Sequence, residues 1–173
     1  MNRLSGIFIR TYNRSKRIMN PKEFKTLIQV IVAEAVKLRD IRTTEHGTPV
    51  NYACVFSQSE QEYELLLTVA RQLGKAAQET TMGPVFYIEP FDTVAGNLRL
   101  VKIRKPDPKR KERGDADFTV ADYPTFKKTY LGKPGFGIIE RPNMEMIELA
   151  DPAFNVLAYF SNPPLGKILN LDF

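Results

Sequence analysis

The run Val50-Asn51-Tyr52-Ala53-Cys54-Val55-Phe56 is rich in strand formers, and the segments after it show how the chain is organised. A helix-patterned segment reaches Leu73, and three strand-like segments then end at Lys105. The same order returns after Gly114. Asp115-Ala116-Asp117-Phe118-Thr119-Val120 reads as a strand, Tyr123, Phe126 and Tyr130 recur at helical spacing, and three more strand segments end at Phe160. A repeated order of elements constrains architecture before any motif does. The expectation is an α+β protein: two tandem βαβββ modules, 50–105 and 114–160, form a curved mixed sheet around a cavity.

Working outward, 21–41 reads as an amphipathic helix. Asn20 is placed to cap it, and Pro21 sits at the first helical position, where its missing N–H costs nothing. Ser57 or Ser59 caps the next helix, with a carboxylate three residues later in a capping-box pattern, and Gly74 ends it. Strands are expected over 75–81, 85–89 and 98–105, with a turn at Met82-Gly83-Pro84 and a loop over 90–97. In the second module, strands are expected over 136–141, 144–149 and 155–160. Two prolines and a charge run make 106–114 an extended surface linker, and 161–173 reads as a tail closing over the sheet edge. Residues 21–173 thus form one domain, and 1–20 is a basic arm free of acids. That composition overlaps with organelle transit peptides; an exposed arm, or a start at Met19, is the simpler reading.

The chain has 173 residues, 43% of them apolar and 26% charged, with 25 Lys and Arg against 20 Asp and Glu. That composition suits a soluble domain able to bury its own core. No apolar run approaches the roughly 20 residues of a membrane helix. A single cysteine, Cys54, excludes an internal disulfide and a multi-cysteine zinc site, and fits the cytoplasm. Cys54 reads as a small buried hydrophobe, and the lone histidine, His46, falls in a loop.

The stretch Glu148-Leu149-Ala150-Asp151-Pro152-Ala153-Phe154-Asn155-Val156-Leu157 resembles the closing hairpin of the glyoxalase, or vicinal-oxygen-chelate, superfamily. There, an acidic strand end, Asp-Pro and a turn lead into the final strand. Together with the paired βαβββ order and the helix before it, the chain resembles an uncharacterised bacterial glyoxalase-like branch over about 21–160. The resemblance implies a divalent metal held by His, Gln or Glu from the first and last strands of each module. The matching positions here fall near Asn51 or Tyr52, near Lys102, near Asp115 or Ala116, and near Ala158. None is a His, Gln or Glu. The chain departs from the pattern, and no transition-metal cofactor is expected.

Strand alternation supplies the candidate site. Asp115, Asp117 and Thr119 share one face; Lys102 and Arg104 share a face with Leu98 and Leu100; Glu148 shares one with Met144 and Met146. If these faces converge, the cavity holds Lys102, Arg104, Asp115, Asp117 and Glu148. Three readings follow. Lys102 or Arg104 pairs with Asp115 or Asp117 across strands and sets register. The cavity takes a small polar or anionic ligand, held by the two cations and oriented by an aspartate. Asp115, Asp117 and Glu148 form an all-oxygen site for a hard divalent cation, as in a metal-dependent lyase or dioxygenase. A fourth reading, of another class, has the basic run 102–113 contact nucleic acid, although no base-stacking aromatic is interleaved in it. Oligomeric state is not legible.

Overall fold

The computed structural model describes residues 18–171; the expectations about the N-terminal arm lie outside them, except at its last three residues. The elements in chain order are α1 (Pro21–Arg42), β1 (Val50–Phe56), α2 (Glu60–Leu73), β2 (Gly74–Gln78), β3 (Val85–Thr93) and β4 (Gly96–Arg104). They continue with β5 (Gly114–Phe118), α3 (Tyr123–Tyr130), β6 (Phe136–Arg141), β7 (Met144–Leu149), β8 (Val156–Asn162) and α4 (Leu165–Ile168). All eight strands form one open, mixed sheet in the order β2-β3-β4-β1-β5-β8-β7-β6. β1 is parallel to β4, β5 is parallel to β8, and β1 meets β5 antiparallel at the centre.

α1 begins as its sequence requires. The Asn20 side chain accepts from the Glu23 N–H while the Glu23 carboxylate accepts from the Asn20 N–H, both at 2.9 Å. Two otherwise unsatisfied donors are thereby satisfied. The helix lays Phe24, Ile28, Ile31, Val32, Ala35 and Leu38 against the sheet. α2 and α3 cover the same face, and Phe126 of α3 stacks near Phe160 of β8 at 4.3 Å between centroids. Ser59, not Ser57, caps α2, accepting from the Glu62 N–H. The Glu62 carboxylate turns instead to the Gln58 N–H and to Arg113.

Three expectations change. β3 runs on to Thr93 through Pro90, where a loop was expected. The β3–β4 register shifts between Tyr87 and Phe91, so the proline, which has no N–H to give, sits within an irregularity of the ladder. β4 opens at Gly96 with φ of 102°, left-handed geometry that lets the hairpin turn tightly and lengthens both strands. The tail does not cover a sheet edge: β8 continues to Asn162, and α4 folds back over β1 near the centre of the sheet.

Gly114 explains how β5 reaches the centre. A Cβ there would lie 2.2 Å from the Cys54 carbonyl oxygen, so only glycine allows the approach. The linker before it is not free either. Arg113 donates to the Phe56 carbonyl at 2.7 Å and pairs with Glu62 at 2.6 Å, which ties the connector to α2.

Candidate functional site

The helices take one side chain of each strand pair, and the other faces a cavity. On β1 the helix side holds Ala53 and Val55, whereas Tyr52, Cys54 and Phe56 belong to a second, smaller cluster. On β5, Ala116 and Phe118 face the helices and Asp115 faces the cavity. On β8, Ala158 and Phe160 face the helices and Leu157 and Tyr159 face away. The cavity has a volume of about 540 Å³. Its wall reaches from Thr80 and Met82, beyond β2, to Arg141 and Met144, at the turn between β6 and β7. A single hollow bounded from both ends of the strand order means that the sheet is cupped. α4 contributes Leu165 and Ile168 to the rim.

Lys102, Arg104 and Asp115 line this cavity, as alternation suggests. Leu98 does not share their face; it belongs to the helix-side cluster, while Leu100 belongs to the cavity-side one. Asp117 lies beneath the wall, fully buried. Its Oδ1 accepts from Ser161 Oγ at 2.6 Å, and its Oδ2 accepts from Asn51 Nδ2 at 3.1 Å. Asn51 Oδ1 in turn accepts from the Gly166 N–H at 3.3 Å, so Asp117 anchors the start of α4. Glu148 lies on the flank, where it accepts from the Tyr159 hydroxyl and from Arg110.

The expected cross-strand ion pairs are not among the pairs of the described residues. β1 stands between β4 and β5 in the sheet, which separates the cations from the aspartates by two strand spacings, about 10 Å. Arg104 pairs with Asp107 instead, at 2.9 Å. Nor do Asp115, Asp117 and Glu148 converge: no three metal-ligating His, Cys, Asp or Glu side chains gather among the described residues. The side chains facing the cavity from β1, β4, β5 and β8 include two phenols, one thiol, a lysine, an arginine and one carboxylate; a single thiol and a single carboxylate beside two cations do not fit a divalent metal. The position expected near Ala158 falls on its neighbour Tyr159, because Ala158 faces the helices.

The electrostatics of the cavity follow from burial. Asp115 is 4% exposed, and its Oδ1 is buried with no hydrogen-bond partner. Burial, with the Asp117 carboxyl beside it, pushes the Asp115 carboxyl well above the usual range, and Lys102 and Arg104 only partly oppose this. Burial also raises the Cys54 thiol and the phenols of Tyr52 and Tyr159, each with Asp115 as the next cause. The thiol is therefore not an activated nucleophile. Arg104 Nε is a second buried polar atom without a partner. Its guanidinium lies over the Phe56 ring, 4.9 Å from the centroid.

The basic run 102–113 is divided by the fold. Lys102, Arg104 and Arg110 line the cavity, Arg113 is bound to α2, and Lys105, Lys109 and Lys111 are exposed. No continuous cationic stripe results. Arg110 and Tyr159 were missed as wall residues. Tyr159 is readable from alternation once β8 is placed; Arg110 reaches the cavity through an irregular connector, for which no periodicity exists.

No family profile matches the chain, and no curated protein matches it in sequence. Among solved structures it is similar to one described as "Structural Genomics, Protein EC4020", with a TM-score of 0.67 at 12% identity. The alignment covers 89% of this chain and 97% of that one, and it supports the α+β fold with its curved open sheet. No helix among the described residues is long and apolar enough to cross a membrane.

Proposed function

We propose that the chain is a glyoxalase-like protein of two tandem βαβββ modules whose cupped sheet binds a small polar or anionic molecule without a transition metal. The module reading is supported by the pairing: each half presents its first and last strands in parallel, and the two first strands meet at the centre. One observation carries the ligand reading. A carboxyl group 4% exposed keeps an unpartnered oxygen on the wall of a cavity that also holds Lys102 and Arg104. Buried polar atoms are nearly always paired, and an orphan costs about 1–3 kcal/mol. A group kept at that cost, in a hollow of ligand size, is accounted for by a partner that arrives from solution. The buried free thiol of Cys54 fits a reducing compartment such as the cytoplasm.

The test is thermal unfolding of the full chain at low ionic strength with small monoanions and their neutral amides. Tm should rise with the anions alone, by mass action on the native state. Lys102→Met should abolish the rise. Equal responses to anion and amide, or none to either, would remove the proposal.

A further inference from the structure

The cavity states more than a preference for negative charge. Its two orphan atoms lie near one low point of the floor. Asp115 and Lys102 stand directly opposite Cys54 in the register, one from each side. On that face of β1 the small Cys54 lies between the large Tyr52 and Phe56, so the floor dips between the lysine and the aspartate. Arg104, opposite Phe56, borders the same dip. Its orientation is set by Asp107 and by the Phe56 ring, which leaves its Nε–H held in place with no acceptor.

Charge and hydrogen-bonding capacity then narrow the ligand. Asp107 neutralises Arg104, and Glu148, at 3.3 Å, neutralises Arg110, whose second acidic neighbour Glu112 lies off the cavity wall. Among the described residues Lys102 has no ion-pair partner, and burial disfavours the charged form of Asp115. Lys102 is thus the cation at this end of the cavity with no ion-pair partner among the described residues, which suits a monoanion better than a dianion. A phosphate dianion would leave a charge uncompensated in a largely enclosed site, whereas a carboxylate would not. A carboxylate accepts readily from both a lysine and an arginine N–H. The orphan oxygen of Asp115 calls for a different group. A hydroxyl both donates and accepts, so it satisfies this carboxyl in either protonation state. An amine would add positive charge beside Lys102. One stretch of the remaining wall, Met146, Ile139, Leu165 and Ile168, is apolar and suits a hydrocarbon substituent.

We propose that the ligand class of this cavity is a 2-hydroxy carboxylate with an apolar substituent. Its carboxylate lies at Lys102 and Arg104 Nε, its hydroxyl at Asp115 Oδ1, and its substituent runs toward Met146 and Leu165. This rests on the anion-site reading above.

Calorimetric titration of the full chain at pH 7 with two probe skeletons tests it. The aromatic series is 3-phenyllactate, 3-phenylpropionate and the methyl ester of 3-phenyllactate. The aliphatic series is 2-hydroxyisocaproate, isocaproate and the corresponding ester. In at least one series the hydroxy acid should bind about 10-fold tighter than the acid without the hydroxyl, the worth of one hydrogen bond to a buried group. Asp115→Ala should reduce that ratio to within about 2-fold while preference for acid over ester survives. Lys102→Met should remove the preference for acid over ester; circular dichroism checks that both variants fold. Lys128→Gln, exposed on α3 and away from the cavity, is a third variant that should leave the hydroxyl ratio unchanged. Equal binding of hydroxy and plain acids in both series would overturn the ligand class and leave the anion site standing. Absence of binding by every carboxylate in both series would overturn the two together.

Discussion

On β1 and β5 the side chains that point toward the helices are Ala53, Val55, Ala116 and Phe118; those on the opposite face include Tyr52, Cys54 and Asp115, with Asp117 beneath. The two sets share backbones and alternate residue by residue, yet one is uniformly apolar and closed, and the other keeps polar atoms without partners. Among the described residues the helix face buries one polar atom without a partner, the Tyr123 hydroxyl, and it belongs to α3, not to a strand. The cavity face keeps two on the strands themselves, Asp115 Oδ1 and Arg104 Nε. Ordinary selection for stability has no use for Asp115 where it stands, since a valine there would remove a buried orphan oxygen. The contrast separates what holds the sheet together from what the sheet holds.

The largest expected effect lies on the closed face. Phe118→Ala removes a fully buried ring that packs near Phe160, with centroids 6.0 Å apart, and should cost about 3–5 kcal/mol in urea unfolding. A cost below about 1 kcal/mol would mean that this face is not the close-packed core described here.

The next effect is a pH dependence from Asp117, whose carboxyl burial pushes up to about 6 from 3.8 against its hydrogen bonds with Ser161 and Asn51. A folded-state value above the unfolded one means that the native state holds the proton more tightly. The stabilisation is fully present below about pH 4 and is lost as pH rises through about 6, about 3 kcal/mol in all. Asp117→Asn should remove this component, so the stability difference between variant and parent should change by about that amount between pH 4 and 7. A constant difference across that range would show that Asp117 does not titrate there.

Asp115→Val should stabilise the chain at neutral pH by about 1–2 kcal/mol and abolish binding of hydroxy acids, trading one property for the other. A loss of stability would mean that Asp115 has an internal partner after all. The smallest effect belongs to Arg113→Met, which breaks a partly buried pair with Glu62 and one hydrogen bond to the Phe56 carbonyl and should cost about 1 kcal/mol with anion binding unchanged.

What could be read in advance followed the same division. Strand alternation placed Lys102, Arg104 and Asp115 on the cavity face, because side-chain direction in a strand is set by backbone geometry alone. The order of elements was legible for a similar reason: caps and breakers such as Asn20, Ser59 and Gly74 act locally. Partners in space were not legible. That β1 would stand between β4 and β5, separating Arg104 from Asp115 and leaving it to Asp107, is a property of strand order. Asp117 was placed correctly on its strand but not among its partners, since Ser161 and Asn51 come from β8 and β1. Arg110 came from an irregular segment, and the extension of β3 through Pro90 depends on a shift in pairing that a local breaker rule cannot anticipate.

The central claim is that the cavity face holds a buried, unpartnered carboxyl, raised above the usual carboxylate range, beside a lysine without an ion-pair partner. Carboxyl-carbon NMR of the full chain, with the Asp115 signal assigned by its loss in Asp115→Val, addresses this most directly. We predict an Asp115 that titrates above the usual carboxylate range and whose signal moves on addition of 3-phenyllactate or 2-hydroxyisocaproate and stays in place with their methyl esters. An Asp115 that titrates in the usual carboxylate range and responds to neither acid would contradict the account.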